Sequence, residues 1–76
     1  MRTISHISFQ SNFYCIVTFG DDTVKSVDLN KFAKREVFHF LNDKNHISLV
    51  KNKIYYIEWE IYEADLSADT LWHIGR

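Results

Sequence analysis

The sequence has no proline, two glycines and one cysteine among its 76 residues. Two isolated glycines cannot form the glycine-rich loop that holds phosphates, and a single cysteine cannot form an intramolecular disulfide, which fits a reducing cytosol. No apolar run approaches the roughly 20 residues that cross a membrane, and residues 1–6 lack the apolar core of a signal peptide. These absences predict a cytoplasmic protein without membrane contact.

Aromatic side chains are what the sequence has in quantity: six phenylalanines, four tyrosines and two tryptophans. A chain this short buries only about 60% of its unfolded surface, so its stability margin is thin. Each aromatic side chain buries roughly 150–250 Å², which makes it a large contribution to a small core. We interpret residues 1–76 as one domain whose aromatic side chains lie mostly inside.

Apolar residues alternate along the first part of the chain. The period of two over residues 13–19 predicts a strand with one buried face. Gly20 and the aspartates after it are typical of a tight turn, and a second strand follows up to Leu29. Ile7 and Phe9 indicate an earlier strand. We therefore expect a three-strand antiparallel meander over residues 3–29.

The middle of the chain loses this alternation. Residues 31–42 fit one or two short helical turns, with Asn30 as the cap and with Phe38 and Leu41 facing inward. After the polar residues that end this helix, the apolar residues of 47–50 predict a short strand.

The last third of the chain predicts one strand and one helix. Three rings within residues 54–60 favour a strand. Ser67 is a good N-cap for a helix over residues 68–74, and Gly75 is a typical stop. The predicted fold class is therefore α+β: a small antiparallel sheet, with the N-terminal meander plus one or two C-terminal strands, a short middle helix and a short C-terminal helix.

The net charge of −1 hides an uneven distribution. Residues 25–53 sum to +4 and residues 54–76 to −4, whereas residues 1–24 sum to −1. Solvated faces explain such runs, and so does complementarity to a partner. Lys31, Lys34 and Arg35 form a candidate basic patch. The alternative function is therefore a nucleic-acid-binding accessory domain that uses segment 31–53, although the slightly acidic balance does not favour it.

Candidate chemical groups are few. The four histidines do not show the spacing of metal ligands, since the nearest two, His39 and His46, are seven residues apart. Cys15 lies on an apolar strand face, where a thiol behaves as a small hydrophobe. We expect no catalytic residue, no metal ligand and no cofactor. An enzyme or a small ligand-binding protein is the weaker alternative, and it requires a pocket beside Glu58 or His46.

The order of these signals resembles the bacterial domain-of-unknown-function family 2442 over about residues 4–74. That family has an acidic turn after phenylalanine, a Val-Asp-Leu strand, a phenylalanine–leucine turn, a strand ending in tryptophan and a capped final helix. The corresponding segments are Phe19-Gly20-Asp21-Asp22, Val27-Asp28-Leu29, Phe38-His39-Phe40-Leu41-Asn42-Asp43, Ile57-Glu58-Trp59 and Asp65-Leu66-Ser67-Ala68-Asp69-Thr70-Leu71. Many members have proline and glycine where this chain has Glu60-Ile61-Tyr62-Glu63.

The resemblance implies a small α+β domain without assigned catalytic residues. Genes of the family often sit beside a second small family, in an arrangement similar to toxin–antitoxin pairs. We therefore expect a non-enzymatic protein-interaction or regulatory module, the antitoxin-like partner of a small neighbouring protein, with a homodimer as a further arrangement. Trp59, Tyr62 and Trp72 are the candidate interaction residues, because tryptophan and tyrosine are enriched at interfaces. The alternative is that Trp59 and Trp72 pack the sheet against the last helix.

Overall fold

Two three-stranded antiparallel sheets make up most of the protein in a computed structural model that describes residues 1–76. The first sheet has the order β1-β2-β3, with strands β1 (Ile4–Phe9), β2 (Tyr14–Phe19) and β3 (Val24–Asp28). The second has the order β4-β5-β6, with strands β4 (Lys51–Asn52), β5 (Tyr56–Trp59) and β6 (Ala64–Ser67). One α-helix, α1 (Ala68–Ile74), ends the chain. Four 3₁₀ helices cover Phe32–Lys34, Glu36–Asn42, Lys44–Ser48 and Glu60–Tyr62. The α+β class is confirmed.

The first sheet is the predicted meander. In β2, Cys15 and Val17 are completely buried, and they alternate with side chains on the opposite face. The turn into β3 takes its left-handed residue from Asp22, with φ of 70°, and not from Gly20. Aspartate tolerates this conformation, and the preceding Asp21 carboxylate accepts a hydrogen bond from the Thr23 amide at 3.0 Å.

The middle segment forms three consecutive 3₁₀ helices over residues 32–48, a longer helical stretch than predicted. Phe38 and Leu41 are buried, as expected. The prediction that Asn30 caps a helix is wrong, because its backbone and side-chain N–H groups both donate to the Asp28 carboxylate at 2.8 Å.

The predicted strand over residues 47–50 is also wrong. The Asp43 carboxylate accepts from the Asn45 amide at 2.9 Å and caps the third 3₁₀ helix, which continues to Ser48. Strand pairing begins only at Lys51, which lies opposite Glu58. The strand predicted over residues 54–60 is shorter, because Ile54 sits in a turn with φ of 73°.

Strand β6 was not predicted, and it completes the second sheet beside β5. Leu66 lies opposite Ile57, and Ala64 lies opposite Trp59. Helix α1 follows at once and matches its predicted bounds. The Ser67 hydroxyl accepts from the Thr70 amide at 3.1 Å, so the predicted N-cap is confirmed.

Gly75 ends α1 for a steric reason. Its φ of −74° is open to any residue, so a left-handed conformation does not require glycine here. A Cβ at this position would instead lie 2.9 Å from the Lys25 Cβ and 2.9 Å from the Leu71 carbonyl oxygen. Helix α1 therefore packs so closely on β3 that only glycine fits.

The two sheets meet where β1 begins. The Ile4 amide donates to the Ile54 carbonyl at 2.6 Å, and the Asn52 side chain donates to the Ile4 carbonyl at 2.9 Å. One continuous apolar core lies between the sheets, the middle segment and α1. It comprises Ile4, Cys15, Val17, Phe19, Val27, Leu29, Phe32, Phe38, Leu41, Ile57, Trp59, Ala64, Leu66, Ala68 and Leu71.

Candidate functional site

Trp59 is completely buried at the end of β5. Its indole lies 5.2 Å from the Phe40 ring centre and 6.2 Å from that of Phe9, both edge-on. Its Nε1 donates to the Nδ1 atom of His46 at 3.2 Å. Trp59 therefore offers no surface to a partner, which corrects the expectation that it is an interaction residue. Its aromatic neighbours belong to β1 and the middle segment, not to the last helix.

His46 is the one buried polar side chain of the core, with no exposed surface. The tryptophan N–H can only donate, so Nδ1 of His46 is the acceptor, and Nε2 carries the proton. Nε2 donates in turn to the Asn12 carbonyl at 2.7 Å. Burial lowers the pKa of His46 against the opposing effect of this hydrogen bond. The histidine is therefore a neutral bridge between the core and the β1–β2 connection.

Trp72 is half-buried on α1 and is flanked by two cations. The Arg2 guanidinium carbon lies 3.6 Å from the ring centre, and the Lys25 Nζ lies 4.0 Å from it. Lys25 also donates to the Trp72 carbonyl at 2.9 Å, and Phe19 packs edge-on at 4.9 Å. These contacts hold α1 against the first sheet, so much of the indole surface is already covered.

Tyr62 is half-buried in the 3₁₀ helix that follows β5. Its ring stacks on Phe40 with a centre-to-centre distance of 4.2 Å and an interplanar angle of 2°. Glu63 then reverses the chain with φ of 52°. The stack fixes this turn against the middle segment, and the neighbouring Ile61 side chain consequently projects outward with 72% of its surface exposed.

Ile61 lines a depression of about 270 Å³ together with Leu49, Lys51 and Glu60. We call these four residues the Ile61 patch. Leu49 is 37% exposed, and the Lys51 ammonium lies 3.7 Å from the Glu60 carboxylate. The patch thus combines two apolar side chains with an ion pair. Sequence reasoning selected Tyr62, which supports the patch, and missed Ile61 and Leu49.

Lys31 and Lys34 lie at the two ends of the first 3₁₀ helix and border a depression of about 700 Å³. Arg35 does not border this depression, and its guanidinium lies over the Phe32 ring, 5.4 Å from the ring centre. His73 and Arg76 border the same depression instead. We call Lys31, Lys34, His73 and Arg76 the basic depression. The sequence carries no signal for this grouping, because it depends on how α1 packs.

The remaining candidate groups are Cys15 and the carboxylates near β5. Burial raises the pKa of the Cys15 thiol to about 12, so the thiolate that reacts with electrophiles is scarce. Glu58 lies opposite Asp65 across β5 and β6, and Glu60 lies beyond the strand. None of the four surface depressions is lined by Glu58 or His46. No three acidic, histidine or cysteine side chains are grouped to hold a metal ion.

Comparisons with protein-family models, curated proteins and solved structures find no match to this chain. The resemblance to family 2442 stays a prediction. None of the helices combines the length and the apolar character that crossing a membrane requires.

Proposed function

We propose that the protein is a non-enzymatic interaction module and that the Ile61 patch is the centre of its contact surface. The observation that carries the proposal is the position of Ile61, which is 72% exposed on a turn held by the stacked rings of Tyr62 and Phe40. A single exposed apolar residue is ordinary. Here the turn that carries the exposed side chain is held by the stacked rings, and the side chain shares a depression with Leu49.

Rigid presentation matters because ordering a contact residue costs free energy on binding. The stack and the turn at Glu63 order the backbone around Ile61 in the free protein. Burial of a side chain such as Ile61 against a partner yields roughly 1.5–3 kcal/mol. The patch is small beside the roughly 800 Å² that each partner of a stable complex buries, so it supplies the centre of a larger interface.

The chemistry of the patch specifies the kind of partner. An apolar side chain of the partner fits between Ile61 and Leu49, while groups of both charges face the Lys51–Glu60 pair. We therefore propose a small protein partner. The resemblance to family 2442 makes the product of the adjacent gene the first choice, with this chain as its antitoxin-like half.

The test is coexpression of the tagged protein with the adjacent gene product, followed by measurement of their affinity by calorimetry. Ile61→Ser removes the apolar contact and should weaken binding at least about tenfold, because the lost burial exceeds 1.4 kcal/mol. Val24→Ser is the matched control, since Val24 is 59% exposed in β3, outside the patch. Binding that is equally strong in wild type and Ile61→Ser would contradict the proposal, and so would the absence of any complex.

A further inference from the structure

We propose that the basic depression binds a nucleotide, with the phosphate on Lys31, Lys34 and Arg76 and with the base against Tyr14. This goes beyond the interaction surface proposed above, which lies at the Ile61 patch. One depression is lined by Tyr14 as well as by Lys31, Lys34 and Arg76. Its volume of about 700 Å³ lies within the range of roughly 300–1,000 Å³ that small-ligand sites have.

None of these three cations forms an ion pair in the protein. The two ion pairs of the structure are Arg2 with Asp69 and Lys51 with Glu60. Lys31, Lys34 and Arg76 take part in neither. The three cations share this concavity with one carboxylate, that of Asp28, so positive charge is in excess there. A phosphate has the oxygen acceptors that the cations require.

The backbone segments that carry these cations are held by hydrogen bonds and by core packing. The Arg76 backbone pairs with Ser26 on the edge of β3, through hydrogen bonds of 2.9 and 3.0 Å. Lys31 precedes a 3₁₀ helix that ends at Lys34 and is anchored in the core by Phe32. The carboxyl end of α1 would repel an anion. That effect is reduced, because Lys25 already donates to the Trp72 carbonyl at 2.9 Å.

Two further groups favour a nucleotide over a bare phosphate. Tyr14 is 41% exposed and lies opposite Asp28 in the β2–β3 register. An exposed aromatic ring is a stacking surface for any base. Asp28 carries a carboxylate whose pKa is lowered by hydrogen bonds from Asn30 and, more weakly, by the charge of Arg76. It is an acceptor for an amino or hydroxyl group, and its negative charge disfavours a polyphosphate.

The experiment is a titration followed by amide chemical shifts at about 50 mM salt, where phosphate contacts are strong. The probes are adenosine monophosphate, inorganic phosphate, a single strand of eight adenylates and the matching duplex. Adenosine monophosphate should shift amides of residues 26–34 and 73–76 and should bind about tenfold more tightly than phosphate. The duplex, whose bases are already stacked, should bind more weakly than the single strand. If the strand binds much more tightly than the mononucleotide, the ligand is a strand; equal affinity identifies the free nucleotide.

Two variants locate the binding. The double variant Lys31→Gln/Lys34→Gln should lose at least about tenfold in affinity for adenosine monophosphate, whereas Lys44→Gln/Lys53→Gln, with the same change in charge, should stay within about twofold. Tyr14→Leu should reduce affinity for the nucleotide but not for phosphate. Unchanged spectra elsewhere show that each variant is folded. The proposal is overturned if neither adenosine probe shifts these amides, if phosphate binds as tightly as the nucleotide, or if the control pair causes an equal loss.

Discussion

Replacing His46 by leucine removes the one buried polar side chain of the core. The Trp59 indole N–H would lose the acceptor that lies 3.2 Å away, and it would stay buried. An unsatisfied buried donor costs about 1–3 kcal/mol, and the lost bond to the Asn12 carbonyl adds about 1 kcal/mol. We therefore expect His46→Leu to lower the free energy of unfolding by about 2–4 kcal/mol. A domain of this size has roughly 4–11 kcal/mol in total.

A double-mutant cycle separates the hydrogen bond from packing. Trp59→Phe removes the N–H donor but keeps a ring in the core. In the double variant neither partner remains, so no buried donor is left unpaired. Urea denaturation followed by circular dichroism should then give a coupling energy of about 1–3 kcal/mol between residues 46 and 59. If the two single losses add to within about 0.5 kcal/mol, the hydrogen bond does not contribute as inferred.

Three further predictions concern stability. Because burial lowers the pKa of His46 in the folded protein, this histidine takes up a proton at a higher pH in the unfolded chain than in the folded protein. The free energy of unfolding should be unaffected by His46 above about pH 6.5 and should decrease below that pH by up to about 1.4 kcal/mol per pH unit. His46→Leu should remove this decrease. Ile54→Asn should raise the free energy of unfolding by about 1 kcal/mol, because Ile54 holds φ of 73° with its side chain 55% exposed and asparagine tolerates this conformation. The urea midpoint should rise accordingly, and an unchanged midpoint would refute the strain. Gly75→Ala should lower the free energy of unfolding by about 1–3 kcal/mol through overpacking against Lys25. A thermal midpoint equal to that of the wild type would show that α1 can move away from β3 and would contradict this prediction.

Local patterns predicted those parts of the fold in which neighbouring residues determine the structure. The alternation of Cys15 and Val17 identified β2, and Ser67 identified the start of α1. Strand β6 was not predicted, because it has only two inward apolar residues before the helix cap. Two residues are too few to show an alternating pattern. The strand expected at 47–50 failed because the Asp43 cap extends the 3₁₀ structure into it.

The candidate site was less predictable, because it depends on tertiary packing. Histidine spacing gave no indication that His46 is completely buried against Trp59. Arg76 enters the basic depression only through its backbone pairing with Ser26. Ile61 becomes prominent only when Tyr62 stacks on Phe40. The residues that make each of these contacts are far apart in sequence.

The most direct test of the interaction function is a map of the bound surface on the labelled protein. Amide shifts are recorded as the product of the adjacent gene is added in small steps. The account predicts that residues 49–51 and 60–62 shift most, at the Ile61 patch, and that these shifts disappear in Ile61→Ser. Shifts centred on the outer face of the first sheet, with residues 60–62 unchanged, would contradict it.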